Sequence, residues 1–588
     1  MRGDRNYMNK GSLCNWKNIS NLQGLLFFAQ RTDEMLFHYS LDTYKAPIFN
    51  IRLLLQEYLY TLQDIEKGLL KEKNEIPILE EIIWNLKKDE AAQQVIGKDM
   101  VKQFIKDYGS LNKDLRRRYC KLFLDKLSGT LYVEEVKRCL RDAINDNRKR
   151  EIEEYSKAFI RELTVTGYNS RYIFVELKDI FFNKIVRDIT SLDTFFQCFD
   201  MKKHSFAVYL TVHKDLARLS EMVSNGIIKD EIQVLSNNEI PKGIHCNSGY
   251  NIVELHDIKT YDRYSSYDIG KHLMALLSHF YSFYHYTEEG ILQDGFVKDK
   301  DSRVKLVKES ISGLQKSKRI KTVETSAIGA VNLFDIATTN YANLYNLSRV
   351  MEIRNMAMRI HAPGNALLSL WSILELLLEK KETDNGNSRI SNIVNLVMPF
   401  LVNSYIEKIV NNLYEDMIHW DSEYTDSIIE NINFGNTKLD KLLGFLLLDE
   451  YVDNRKKLYA RLDDFPLLRF RIFYLNDTFG NKKKTKKTIE GHKQKIHWQL
   501  QRIYRARNCI IHDGDDVMNV ESLIENLLSY IDIICERIIQ KISENGKDYT
   551  VSDAILEENI QSMCFLGWLN NEEKIDSSNC LMLLNHNY

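Results

Sequence analysis

Apolar residues recur every three or four positions through most of the chain, the spacing that lines one face of an α-helix. In "IFNIRLLLQEYLYTLQDIEKGLL", Ile51, Leu54, Leu55, Tyr58 and Leu62 fall on one stripe, and residues 1–145 read as an N-terminal helical domain. A second helical pair follows in "FIRELTVTGYNSRYIFVELKDIFF". Gly167 separates two amphipathic runs there, with Asn169 or Ser170 placed to cap the second. The pattern then changes. "HSFAVYLTVH" (204–213) alternates with period two and is rich in β-branched and aromatic residues, which predicts a strand. "EIQVLS" and "YNIVELHDI" are its companions, so a small sheet is expected at about 200–260, within an α+β middle region of 146–340. Helix resumes in "YSSYDIGKHLMALLSHFYSFYHY". Its His272, His279 and His285 are seven and six apart, which favours packing over metal ligation.

The strongly charged stretch between 290 and 345 marks a boundary. From 345 to 545 helices are expected in "NALLSLWSILELLLEKK", "RISNIVNLVMPFLVNSYIEKIVNNLY", a run over 425–447, "KIHWQLQRIYRARNCIIHDG" and "NVESLIENLLSYIDIICERIIQKISE". Between the third and fourth, "GNKKKTKKTIEGHKQK" reads as a polar, basic loop, and 546–588 as a C-terminal extension. The expected fold is mainly α and multi-domain, with a small β-sheet insert in the middle.

Composition bounds the function. A chain of 588 residues is too long for one compact core, and six prolines leave long helices unbroken. A net charge of −2 gives no global pull toward nucleic acid, so any such contact must come from local patches. The nine cysteines are scattered without a C-x-x-C pair, as in reduced intracellular thiols, and no zinc ribbon is visible. "MRGDRNYMNKGSLCNW" lacks the apolar core of a signal peptide, and the most apolar helix is too short to span a bilayer. The expectation is a cytoplasmic protein with no membrane partner.

The candidate chemistry lies in "RARNCIIHDG". Arginine–histidine pairs at similar spacing also occur at Arg31 with His38 and Arg354 with His361, so context must separate them. Arg507, Asn508 and His512 stand at the end of an amphipathic helix whose inward stripe is Ile496, Leu500, Ile503 and Tyr504, with Gly514 as its stop. The helix C-terminus favours a protonated imidazole at His512, and Asn508 shares its face at i, i+4. By ideal rotation Arg507 points about 140° away from His512 and Arg505 about 20°. Upstream, Lys482, Lys483, Lys484, Lys486 and Lys487 form a basic run suited to RNA backbone contact.

"YRARNCIIHDG" resembles the signature of the HEPN superfamily, and specifically its ApeA-like branch, where "RN" and three mostly apolar residues precede the histidine. "ALLSLWSILELLLEK" resembles that branch's first helix, an aliphatic run with "LW" followed by an acid, here Glu375. The resemblance covers about 345–545. It implies a helical bundle that forms a homodimer, or a larger even assembly, and acts as a metal-independent endoribonuclease without cofactor. It also implies a part in antiviral defence, abortive infection or a toxin system, with a phage-derived trigger or accessory defence protein as a further partner. Carried over residue by residue, Arg507, Asn508 and His512 are the catalytic set, with Glu375 a candidate structural or active-site acid; Arg505 is a candidate supporting residue by its angle to His512. Two departures stand out: Gly514 occupies a position where some relatives carry a modifiable tyrosine, and 383–495 is long for a simple bundle. The alternatives are a non-catalytic helical scaffold and a DNA-binding regulator working through "ELTVTGYNSRYIF".

Overall fold

Few breakers interrupt the amphipathic runs, and the chain folds mainly as α-helix around one five-stranded antiparallel sheet in its middle. The computed structural model describes residues 10–36, 49–226, 232–236, 239–241, 244, 248–285, 291–298, 303–308, 327, 330–331, 341–360, 362–377, 389–513, 520–545, 549–571 and 574–585. In the Ile51–Glu66 helix the stripe of Ile51, Leu54, Leu55, Tyr58 and Leu62 is buried, and Asn50 caps the helix by accepting from the Leu53 amide at 3.0 Å. The Lys149–Thr166 helix stops at Gly167, whose φ of 121° suits glycine. Asn169 then caps the Ser170–Lys178 helix by accepting from the Arg171 amide.

The sheet is larger than the alternation pattern indicates. Its strands are β1 (His204–His213), β2 (Ile232–Val234), β3 (Tyr250–Thr260), β4 (Ile291–Lys298) and β5 (Val304–Val307), in the order β2-β3-β1-β4-β5. β4 and β5 lie in the charged stretch that marks a boundary in the sequence. The Arg263–His285 helix crosses one face, close enough that a Cβ on Gly295 would lie 2.6 Å from the Tyr267 ring. His272 and His279 on this helix are exposed rather than packed, and His285 stacks on Tyr281 with ring centroids 4.0 Å apart.

The hydrophobic cores cut across the sequence boundaries at 145 and 345. One core joins the helices before residue 200 to residues of 402–489 and 565–584. A second takes residues of 347–401 and 496–542, with Ala554. Residues 146–199 therefore pack with the N-terminal helices, and 402–489 leaves the C-terminal bundle to join them. The run over 425–447 is two helices, Ser422–Glu430 and Lys438–Leu447. They are separated by Gly435 at φ 68° and restarted by a Thr437–Asp440 capping box. The 389–420 stretch likewise bends by 45° between Arg389–Asn403 and Tyr405–Trp420.

The largest correction concerns "GNKKKTKKTIEGHKQK". It is not a loop but the first half of one 32-residue helix, Lys482–Asp513, which begins where Asn481 accepts from the Lys484 amide at 3.0 Å. Among the described residues, no single helix is long and apolar enough to cross a membrane.

Candidate functional site

The Lys482–Asp513 helix has three faces over its second half. Ile496, Leu500, Ile503 and Ala506 enter the C-terminal core, beside the Pro363–Leu377 and Val520–Asn545 helices. Trp498, Arg502, Arg505 and Cys509 form a second stripe that meets the N-terminal helices. Asn508, Ile511 and His512 remain at the outer end, Asn508 buried and the other two exposed. Gly514, the expected helix stop, lies outside the described residues.

Arg507 leaves the helix toward the bundle. Its Nη1 donates to Asn508 Oδ1 at 3.1 Å, and its Nη2 lies 3.9 Å from Glu375 Oε1. Glu375 is itself fixed by two other groups. The indole of buried Trp371 donates to Oε1 at 2.9 Å, and Arg389 Nη2 pairs with Oε2 at 2.9 Å. Trp371 in turn packs against Tyr504 of the long helix, ring centroids 6.0 Å apart. The four residues Arg507, Asn508, Glu375 and Arg389 thus form one polar cluster at the mouth of the C-terminal core. His512 stands one turn beyond Asn508, in the last turn of the helix.

Arg505 does not join this cluster. Its side chain is only 6% exposed and its Nη2 pairs with Glu57 at 2.6 Å. Arg502 completes the clasp, with Nε 3.0 Å from Glu57 and Nη2 2.5 Å from Glu81. Burial alone would raise the Glu57 pKa, but the two guanidiniums outweigh it and hold the carboxyl below its ordinary value. Glu81, paired with Arg502 alone, is raised by burial. Removing Glu57 would strand the buried Arg505 guanidinium, while Arg502 keeps Glu81, a change that costs about 3–5 kcal/mol. Further along the same face, Cys509 Sγ donates to Asp64 Oδ2 at 3.4 Å and Trp498 Nε1 to Glu80 Oε2 at 3.3 Å. Nothing in the spacing of "LLLQEYLYTL" points to partners 445 and 448 residues away, so the sequence carries no sign of this clasp.

The basic run divides. Lys482 is buried with its Nζ 4.2 Å from the Trp568 ring centroid, Lys484 pairs with Asp477 at 2.5 Å, and Lys486 lies 3.7 Å from Glu490. Lys483 and Lys487 are exposed, with no carboxylate in ion-pair distance among the described residues. At 1.5 Å per residue the run lies about 38–45 Å from His512, at the opposite end of the helix.

The rival pairs separate as well. Arg31 is buried against Glu34 and Glu153, Arg354 pairs with Asp532 at 2.6 Å, and His38 and His361 lie outside the described residues. In the Ser170–Lys178 helix, the element a DNA reader would present, Arg171 donates to the Lys308 carbonyl at 2.7 Å and stacks over Tyr264. Among the described residues no group of three or more His, Cys, Asp or Glu is arranged to hold a metal ion. No family model matches the chain, and no curated protein or solved structure matches it.

Proposed function

We propose that the chain is a multi-domain endoribonuclease of HEPN type, cutting RNA at the C-terminal end of the Lys482–Asp513 helix. One observation carries this reading. Arg507, Asn508 and Glu375, drawn from the two motifs on which the resemblance rests, meet in one cluster, with exposed His512 one turn away. The carboxylate of Glu375 orients the guanidinium of Arg507, whose planar fork matches phosphate oxygens. In its neutral form His512 accepts the proton of the substrate's 2′-hydroxyl as that oxygen attacks the adjacent phosphorus. The bond to the 5′-oxygen breaks, and that oxygen takes a proton from solvent. Asn508 bridges the two roles, on the face of His512 and in contact with Arg507. Proton transfer of this kind contributes about 10²- to 10⁴-fold. A role in antiviral defence or as a toxin rests on the resemblance.

The products identify the chemistry. Incubation of labelled single-stranded RNA with the full chain in EDTA is expected to leave 2′,3′-cyclic phosphate and 5′-hydroxyl ends. His512→Ala should lose about 10²-fold or more of the activity while keeping its helical circular dichroism, because the side chain is exposed. Intact RNA in EDTA, or full activity in His512→Ala, would sink the reading.

A further inference from the structure

A cleft of about 680 Å³ opens where the Lys149–Thr166, Tyr405–Trp420 and Pro466–Phe479 helices meet the first half of Lys482–Asp513. Eight Lys and Arg side chains line it against three carboxylates. Two of those carboxylates are already engaged, Glu153 by Arg31 and Lys157 at 2.9 and 2.8 Å, and Asp477 by Lys484 at 2.5 Å. Among the described residues, Lys88, Arg150 and Lys487 have no carboxylate within ion-pair distance. Partial desolvation in the cleft lowers the Lys88 pKa, and the ammoniums of Lys495, Lys157 and Lys487 add to that against the single carboxylate of Glu154. Positive groups therefore face one another across the gap.

Aromatic rings share the same walls. Lys88 and Lys495 lie 3.4 and 5.9 Å from the Trp84 ring centroid, and the Arg150 guanidinium lies 5.7 Å from that of Tyr474. Tyr474 stacks on Phe470 and stays 37% exposed, so part of its ring reaches solvent beside the Arg150 guanidinium. The volume falls in the usual range for small-molecule sites, about 300–1,000 Å³. Lys88, Arg150 and Lys487, with no carboxylate in ion-pair distance among the described residues, suit phosphates, and an aromatic platform beside them suits a base.

We propose that this cleft is a binding site for a nucleoside polyphosphate, with phosphates on Lys88 and Lys487 and the base against Tyr474. The site is separate from the cluster at Arg507, about 18 Å further along the same helix from Lys495. It stands apart from the nuclease reading, because binding is measured without RNA cleavage.

Calorimetric titration of the full chain with ATP, GTP, inorganic tripolyphosphate and a 2′-O-methyl oligoribonucleotide tests it. A nucleoside triphosphate should bind saturably. Lys88→Ala with Lys487→Ala, both at exposed positions, should weaken it about tenfold or more. Tyr474→Ala should weaken the nucleotides and leave tripolyphosphate unchanged. Three outcomes would overturn the proposal: no saturable binding of ATP or GTP up to about 1 mM, affinity unaltered by the lysine changes, or tripolyphosphate matching the nucleotides. Binding of the oligonucleotide alone would also overturn it, making the cleft a groove for an RNA strand.

Discussion

A part-buried lysine with no carboxylate in ion-pair distance among the described residues titrates far from its usual range, and Lys149 is such a residue. Its ammonium donates to the Gln23 carbonyl at 2.7 Å and lies 5.0 Å from the Phe27 ring centroid, with the Arg469 cation nearby. Burial, and then repulsion from Arg469, push its pKa down to about 7. In the unfolded chain the same group titrates at about 10.4. Between those two values the unfolded state holds the extra proton, so this group makes stability rise with pH across that window. Below about 7 the folded state carries the cost of the buried charge. Urea unfolding of the wild type and Lys149→Met at pH 7 and pH 9.5 checks it: the wild type should gain relative to the variant at the higher pH. A difference between the two proteins that does not change with pH would overturn the assignment.

At the scale of elements, the Lys482–Asp513 helix shows both how much the sequence reveals and what hides the rest. Its second half is legible because Ile496, Leu500 and Ile503 repeat at helical spacing and carry the arginine–histidine signature at their end. Its first half is hidden because the buried stripe is Lys482, Thr485, Ile489 and His492, three of them polar. The Lys482 ammonium lies over the Trp568 ring, the Thr485 hydroxyl donates to the Thr478 carbonyl at 2.9 Å, and His492 stacks on Tyr405. Apolar periodicity cannot report a stripe satisfied by hydrogen bonds and ring contacts. β4 and β5 escape for a related reason, since "ILQDGFVK" and "VKLV" lie among charges that break the alternation. Arg505 could not be read either, because its partner Glu57 comes from a distant helix. The continuity of the long helix can be tested at Gly491, where an added Cβ meets nothing within 4 Å. Gly491→Ala should raise stability by about 0.5–1 kcal/mol, and Gly491→Pro should lower it by about 3 kcal/mol or more. A flexible loop would accept proline, so equal denaturation midpoints for the proline variant and wild type would refute one continuous helix.

At the scale of the whole molecule, the clasp of Glu57, Glu81 and Asp64 decides how two copies could meet. A homodimer joined through the whole 496–513 helix, as its amphipathic pattern invites, would need the Trp498, Arg502, Arg505 and Cys509 face. That face is occupied by the chain's own N-terminal helices. What remains is the helix end, where Ile511 is 46% exposed beside His512. Two-fold symmetry would bring this end against its own copy, so like residues would gather near the axis. Arg507 and His512 leave the helix about 140° apart by rotation, so the arginine of one copy, held by its own Glu375, can serve the histidine of the other. The cations collected there would repel in the empty dimer and be neutralised by a phosphate lying between them. The prediction is that mixing inactive Arg507→Ala and His512→Ala subunits restores cutting. In the mixed dimer the histidine of one subunit and the arginine of the other make one whole site of two. With random exchange about half the dimers are mixed, so recovery should approach about a quarter of wild-type activity. Activity from a strictly monomeric chain, or no recovery after subunit exchange has been demonstrated, would refute the shared site.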